Sequence, residues 1–188
     1  LLHYPVYDKN KKVVSTSLTN VDIHDIARAA RTYGIRKYYL VTPLRKQQKL
    51  AERILLHWRS GFGAQYNPRR KEALSLVAVS DSLDSVCDDI RNDWGIRPQI
   101  VITDAQLFER SIDYLSLKKL IEEGSRPYLL LLGTGWGVTE DVIEDSDYVL
   151  APIRGATEYY PLSVRSAAAI ILDRLLGIRD EKSLENEL

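Results

Sequence analysis

The amino-acid sequence predicts an α/β protein with a mostly parallel sheet of about six strands and helices on both faces. Strand-like apolar runs alternate with amphipathic helical stretches along the chain, and no repeat or low-complexity tract interrupts them. Strands that are separated by helices need crossover connections, which make the strands parallel. The run at residues 127–132 (PYLLLL) is so apolar that both of its faces must be covered, as in a parallel sheet.

Local signals define the elements. Thr19 or Asn20 is suited to cap a helix that Gly34 ends, and Ser82 is suited to cap one that ends near Gly95. In chain order the predicted elements are a strand at residues 4–7, a turn at 8–11, a helix to 33, a strand at 35–42, a basic helix at 43–59, a loop at 61–71, a strand at 74–79, a helix to 94, a strand at 99–103, a helix at 114–123, a strand at 127–132, a short helix at 138–144, a strand at 148–153 and a long helix at 163–176. The face of the basic helix predicted to be buried carries Leu50, Ile54, Leu55 and Trp58.

Composition narrows the class of protein. With 188 residues and 45% hydrophobic residues, the chain suits one globular domain spanning residues 1–188. A lone Cys87 cannot form an internal disulfide, and no Cys/His cluster has metal-ligand spacing, so we expect no metal. No apolar run approaches the roughly 20 residues of a membrane span, and the first residues do not resemble a signal peptide, so we expect a cytoplasmic protein. Because the sequence contains no methionine, we expect the natural chain to begin upstream of Leu1.

Charge is unevenly distributed along the chain. Residues 1–72 carry 15 Lys and Arg against 5 Asp and Glu, a net charge of +10, and the remainder carries the compensating −10. One interpretation is a surface that binds a polyanion such as RNA. The other is attraction between the two halves, within the fold or across a dimer interface. The cations that we predict to contact RNA, beside Phe62 and Tyr66, are Lys46, Lys49, Arg53, Arg69, Arg70 and Lys71.

Two glycine-containing segments follow predicted strands. Three glycines in five residues (133–137, GTGWG) follow the most apolar strand, and residues 153–155 (IRG) follow the next strand along the chain. Ligands of parallel sheets bind beyond the carboxyl ends of strands, and we expect these two ends to be adjacent. Neither segment is a phosphate-binding P-loop or a dinucleotide fingerprint. The alternative for the first is a tight turn in which Trp136 fills a gap.

Together these motifs resemble the cofactor site of the SPOUT class (α/β-knot) of RNA methyltransferases. Residues 132–137 (LGTGWG), 153–155 and 162–170 (LSVRSAAAI) have the order and spacing of that site. The helix segment 26–30 (IARAA), followed by Tyr33-Gly34-Ile35, is similar to the first motif of the class. More narrowly, residues 18–28 and 41–43 resemble a bacterial family that is found alone or fused to tRNA guanine-N1 methyltransferases.

The resemblance implies an S-adenosylmethionine-dependent RNA methyltransferase with a carboxyl-terminal trefoil knot, a homodimer, and tRNA favoured over rRNA as substrate. The ribose-methylating branch has Asn where this chain has Ser163, and an Asn near the position of Asp22, so base methylation is favoured over ribose 2′-O methylation. The implied cofactor-binding residues are Leu132, Gly133, Thr134, Gly135, Trp136, Gly137, Ile153, Gly155, Leu162, Ser163, Val164 and Ala167.

Three residues are candidates for catalysis. Methyl transfer needs alignment of the acceptor and removal of a proton, so a carboxylate near the acceptor could act as general base. Asp22, Asp25 and Glu158 are carboxylates that could act in this way, and we assign Asp22 and Glu158 to catalysis. The resemblance favours Arg28 for binding the acceptor. Asp22 could instead stabilise a helix end, while Glu158 and Arg28 could be solvated charges. The alternative functions are a non-catalytic RNA-binding or assembly protein that retains the fold and a flavodoxin-like nucleotide-binding module.

Overall fold

The computed structural model describes residues 1–159 and 161–178; Tyr160 and residues 179–188 of the predicted domain lie outside the described residues. The elements are β1 (Val6–Tyr7), β2 (Val13–Val14), α1 (Asn20–Thr32), β3 (Tyr38–Val41), α2 (Arg45–Arg59), α3 (Phe62–Tyr66), α4 (Pro68–Ser75), β4 (Val77–Ser80), α5 (Leu83–Trp94), β5 (Gln99–Thr103), β6 (Ser111–Ile112), α6 (Tyr114–Glu122), β7 (Tyr128–Leu132), α7 (Glu140–Glu144), β8 (Tyr148–Leu150) and α8 (Val164–Leu176).

The predicted parallel arrangement is confirmed. Four strands pair in the order β6-β8-β5-β7, and β3 pairs with β4, all of them in parallel. Leu2 bridges Val41 and Gly133, again in parallel, and so connects the two sheets. Strands β1 and β2 form a separate antiparallel pair. Because all the longer strands run the same way, their carboxyl ends lie at one common edge.

Strand order differs from the prediction at one important point. The strands that carry the two glycine segments, β7 and β8, were expected to be adjacent, but each pairs with β5, which lies between them. The connection from β7 to β8 passes over β5, and the hydrophobic periodicity of the sequence does not indicate strand order. Neighbouring strands lie about 4.8 Å apart, so the two strand ends are separated by roughly 10 Å.

Helices cover both faces of the sheet, as predicted. On one face α1, α2, α6 and α8 contribute to a core that includes Ile23, Leu55, Leu117 and Ile171. On the other face Val86 of α5 is buried against the strands, and α7 packs beside it. The predicted helix caps at Thr19 and Ser82 are confirmed, since each accepts a backbone N–H of the first helical turn. Ser163 caps α8 in the same way.

The predicted loop at 61–71 is wrong, because the segment forms α3 and the start of α4. The residues that usually interrupt helices lie at the starts of helices here. Gly61 and Asn67 are N-caps, Asn67 accepts the backbone N–H of Arg70, and Pro68 is the first residue of α4. Helix α4 extends to Ser75, so the next strand begins at Val77 rather than at residue 74. On α2, Leu50 is 45% exposed, and the buried position belongs to Ala51 instead.

Candidate functional site

The candidate site lies at the carboxyl edge of the sheet. The glycine loop, residues 133–137, leaves β7 there, and the irregular segment 151–159 leaves β8. Helix α8 begins at this edge because it follows β8, and α1 begins there because it runs back toward the start of β3. Helix α1 packs against both α8 and α4, so it connects this edge with the basic helices.

The glycine loop is held by the chain's own amino-terminal segment. Tyr7 donates its backbone N–H to the carbonyl of Gly137 over 2.9 Å, and its carbonyl accepts the backbone N–H of Trp136 over 2.9 Å. Gly135 has a φ of 63°, and a Cβ there would lie 2.8 Å from the Tyr7 carbonyl oxygen. Glycine at this position is therefore required by the fold itself. One side of the loop is occupied by β1, so a ligand would approach from another side.

Trp136 does not fill a gap in the structure. Its side chain is 69% exposed, although its backbone is fixed by the hydrogen bond to Tyr7. The interpretation of residues 133–137 as a turn closed by a packed tryptophan is therefore wrong. The ring is instead available to a bound molecule at this edge.

A chain of hydrogen bonds connects the glycine loop to a buried histidine. Thr134 donates its hydroxyl proton to the carbonyl of Leu2 over 3.0 Å, and its Oγ1 lies 2.5 Å from Oγ1 of Thr16. Thr16 must then donate to Thr134, so Nδ1 of His3, 2.9 Å away, donates to Thr16. Burial lowers the pKa of His3 to about 4, so the ring is neutral near pH 7 with its proton on Nδ1.

The second glycine segment is more open. Gly155 is exposed, and a Cβ placed on it would meet no atom of the described residues within 4 Å. Ile153 is half-buried against the helical core, while Leu162 is exposed. Ser163 caps α8 by accepting the backbone N–H of Ser166. At the start of α8, Val164 and Ala167 are half-buried.

Asp104 is a residue that the sequence analysis missed. It directly follows β5, which lies between the two strands that carry glycine segments. Its Oδ2 lies 3.3 Å from where a Cβ of Gly137 would stand, and its Oδ1 accepts the backbone N–H of Gln106 over 2.8 Å. The sequence contains a signal for this residue, because Asp104 directly follows residues 99–103, which are recognisable as a strand. Only the strand order shows that this end is central.

The two carboxylate candidates differ in their surroundings. Asp22 is buried and accepts a hydrogen bond of 2.5 Å from Oγ1 of Thr19. Its Oδ1 also accepts from Nη1 of Arg165 over 3.3 Å, and Nε of Arg165 lies 3.8 Å from Asp25. Arg165, to which the sequence assigned no role, therefore ties the start of α8 to the start of α1. Glu158 is exposed and has no hydrogen-bond or ion-pair partner among residues 1–159 and 161–178.

Arg28 projects from α1 six residues after Asp22, about 9 Å along the helix axis. Its side chain is exposed, and its guanidinium has no hydrogen-bond or ion-pair partner in the described part of the chain. The neighbouring His24 is buried, with its ring edge-to-face against Trp58 at 5.2 Å. Burial, and then the charge of Arg70, lower the pKa of His24. Arg28 is thus the free cation nearest to the sheet edge on this helix.

Five of the six cations predicted to contact RNA are exposed. Lys46, Lys49 and Arg53 lie on α2, and Arg69 and Lys71 lie on α4. Arg70 is half-buried, and its guanidinium lies over the ring of Trp58 at 4.9 Å. The ion pairs between the two halves of the described chain use Lys37 and Arg165 instead of these six cations. Attraction within the fold therefore does not explain the cations of α2 and α4.

No helix among the described residues is long and apolar enough to cross a membrane. Within the same residues, no group of three or more His, Cys, Asp or Glu side chains is placed to hold a metal ion.

Solved structures share the fold at low sequence identity. A probable methylase family protein from Haemophilus influenzae matches with a TM-score of 0.57 and 19% identity, covering 82% of this chain and 57% of that one. The TrmH/SpoU tRNA modifying enzyme of A. aeolicus matches with a TM-score of 0.54 and 18% identity, covering 91% of this chain and 75% of that one. The fold is therefore that of the SpoU/TrmH methyltransferases.

The particular family follows from the sequence comparison. A family model described as SAM-dependent RNA methyltransferase matches residues 1–177, and the chain belongs to this family. An uncharacterized protein of Aquifex aeolicus is 45% identical over 94% of this chain and 86% of its own length. A tRNA (guanine-N(1)-)-methyltransferase of Oleidesulfovibrio alaskensis is 43% identical over 94% of this chain, but the match spans only 41% of that relative. The resemblance to SPOUT-class S-adenosylmethionine-dependent RNA methyltransferases is thereby confirmed.

Proposed function

We propose that this RNA methyltransferase methylates a nucleobase of tRNA, held between the carboxyl edge of the sheet and the basic helices α2 and α4. The observation that carries the proposal is the cationic surface of α2 and α4, whose Lys and Arg side chains form no ion pair with the described residues. Helix α1 packs against α4 and α8 and so connects this surface with the carboxyl edge of the sheet. The names of two relatives, both tRNA (guanine-N(1)-)-methyltransferases, support tRNA and a base as the target. Each describes a whole protein of which this chain matches 41%.

The residues at the sheet edge fit S-adenosylmethionine. Gly155, the exposed ring of Trp136 and the carboxylate of Asp104 follow the neighbouring strands β8, β7 and β5, respectively, at the carboxyl edge of the sheet. Residues 132–137 and 153–155, with Leu162 to Val164 and Ala167, would hold the cofactor mainly through backbone N–H and C=O groups. The cofactor supplies an electrophilic methyl group on a sulfonium.

The chain's own residues position the acceptor and move a proton. Arg28, whose guanidinium has no hydrogen-bond or ion-pair partner among the described residues, binds an acceptor phosphate or the acceptor base. Glu158 is the better candidate for the general base, because its carboxylate has no partner among the described residues, whereas Arg165 and Thr19 already engage the carboxylate of Asp22. Asp22 instead fixes Arg165 and the start of α8. From the resemblance to the SPOUT class we infer a trefoil knot at the carboxyl end and a homodimer, and from the length and composition of the chain we infer a single domain and a cytoplasmic location.

The test is methyl transfer from labelled S-adenosylmethionine to bulk tRNA and to rRNA, followed by mass spectrometry of the nucleosides. We expect label in tRNA and in a methylated base. Label in rRNA alone or in 2′-O-methylated nucleosides would contradict the tRNA or base assignment, respectively. Cofactor binding by calorimetry without transfer to any RNA would favour the non-catalytic RNA-binding protein.

A further inference from the structure

We propose that Phe62 and Tyr66 form a stacking platform for unpaired nucleobases of the RNA substrate. This inference rests on the proposed function and specifies the substrate: a single-stranded or looped-out segment lies across α3 while its phosphates contact the neighbouring helices. Hydrogen bonding to particular bases is not required, since every nucleobase presents a flat aromatic face.

The two rings are exposed and nearly parallel. Phe62 is 72% exposed and Tyr66 is 76% exposed, which is unusual for large aromatic side chains on a helix. Their ring centroids lie 6.0 Å apart with an interplanar angle of 21°. Such rings present flat apolar faces to solvent, where a base can stack.

Packing on the inner side of α3 fixes the direction in which these rings point. Gly63 and Ala64 are buried against the preceding helix. A Cβ at Gly63 would lie 2.7 Å from Cε3 of Trp58 and 2.9 Å from Nε2 of His57, so the backbone approaches α2 more closely than any other residue would allow. Helix α3 is therefore held in one orientation, with its aromatic side chains outward.

The surroundings favour RNA over an apolar protein surface. Helix α3 contacts both α2 and α4, so the rings lie between two cationic helices. Residues 45–75 contain eight Lys and Arg and two Glu. One of these acids, Glu72, is paired with Arg31. Aromatic rings flanked by Lys and Arg side chains that form no ion pair within the described part of the chain provide stacking and phosphate contacts together, the combination that binds single-stranded nucleic acid.

The experiment measures binding of labelled RNA by fluorescence anisotropy. The probes are oligo(A) and oligo(U) of about 12 nucleotides and an RNA duplex of the same length, within the range of single-strand binding sites. We expect the wild type to bind oligo(A) more tightly than oligo(U), because purines stack more strongly. The double variant Phe62→Ala with Tyr66→Ala should bind oligo(A) at least about tenfold more weakly and bind the duplex as the wild type does.

Matched variants separate stacking from other contacts. Phe62→Leu with Tyr66→Leu keeps apolar bulk without a flat ring and should lose oligo(A) affinity as the alanine pair does, whereas Phe62→Trp should retain it. Leu115→Ala, which removes a similarly exposed apolar side chain from α6, should change nothing. All the substituted side chains are exposed, so thermal melting should be unchanged.

Several results would contradict the proposal that Phe62 and Tyr66 stack on nucleobases. Undiminished oligo(A) binding by the alanine or leucine pair would exclude stacking while leaving the proposed methyltransferase activity intact. Loss of self-association with unchanged RNA binding would make the rings a protein contact. A wild type that binds no RNA probe and methylates no RNA would overturn the platform and the proposed substrate together.

Discussion

Two charged residues on α1, Asp22 and Arg28, differ in whether their surroundings leave them available to contact a substrate. Asp22 is buried, accepts from Thr19 and Arg165, and already holds two helices together. Arg28 is exposed, and within residues 1–159 and 161–178 its guanidinium has no hydrogen bond or ion pair to give up when it binds another group. A side chain that is free before binding is the better candidate for substrate contact, because no partner is left unsatisfied when it moves.

Arg28→Ala should spare cofactor affinity and lower the rate of methyl transfer about 100-fold or more, since it removes a group that positions the acceptor. The matched control is Arg31→Ala on the same helix, whose partner Glu72 lies on α4 away from the sheet edge. Calorimetry with S-adenosylmethionine and a methyl-transfer assay measure the two effects. Full activity of Arg28→Ala would identify Arg28 as a surface charge.

Gly155→Val should abolish S-adenosylmethionine binding without unfolding the protein, because the new side chain would enter open space at the proposed cofactor site. Ala156→Val, beside Gly155, is the control. Wild-type affinity in Gly155→Val would remove residues 153–155 from the site.

Gly135→Val should lower the free energy of unfolding by about 1–3 kcal/mol or more, since a β-branched residue would need φ near 63° and would approach the Tyr7 carbonyl.

At the scale of elements, α4 carries two kinds of cation. Arg69 and Lys71 face solvent, whereas Arg70 lies over Trp58 and is half-buried. The helical spacing explains the difference, because successive residues of a helix point about 100° apart. One short helix therefore supplies both the solvent-facing cations that we propose contact phosphates and part of the packing between α1, α2 and α4.

Arg69→Ala with Lys71→Ala should flatten the dependence of log RNA affinity on log salt by about 1.4, because each single-strand phosphate contact contributes about 0.7. The melting temperature and cofactor affinity should not change, as both side chains are exposed. Arg70→Ala serves as the contrast and should lower thermal stability, since it removes the contact with Trp58. RNA affinity measured at three or more salt concentrations tests this, and an unaltered slope would exclude α4 from the RNA surface.

At the scale of the whole molecule, the amino-terminal segment joins parts that are distant in sequence. Leu2 lies between the two parallel sheets, and the next residue, His3, connects through Thr16 to the glycine loop. Residues near the amino terminus thus hold the glycine loop in place through hydrogen bonds. Global unfolding should therefore respond to the protonation of His3.

The free energy of unfolding should fall as the pH drops from about 6.5 toward 4. The pKa of His3 is lowered to about 4 in the folded protein and has its ordinary value of 6.5 when unfolded, so in this range the unfolded chain binds the extra proton. His3 should account for a loss of about 2–3 kcal/mol between pH 7.5 and 4.5. Urea unfolding of the wild type and of His3→Asn at both pH values measures it. Equal losses in the two proteins would show that His3 does not titrate in this way.

The sequence by itself determined the features that depend on near neighbours. The alternation of strands and helices, the caps at Thr19 and Ser82 and the strand at 99–103 each depend on residues that are close together in the sequence. The glycine segments and the family resemblance also depend only on local motifs and their order. Local signals failed at 61–71, where glycine, asparagine and proline begin helices instead of forming a loop.

Only the tertiary structure decided which of these segments meet. It places β5, and with it Asp104, between the two glycine-bearing strands, and it pairs Asp22 with Arg165 across 143 residues. It also turns Phe62 and Tyr66 outward by packing Gly63 against Trp58. The physical reason is that strand order and side-chain pairing depend on how distant segments share a buried surface. Periodicity reports which face of a segment is buried, but it does not report what covers that face.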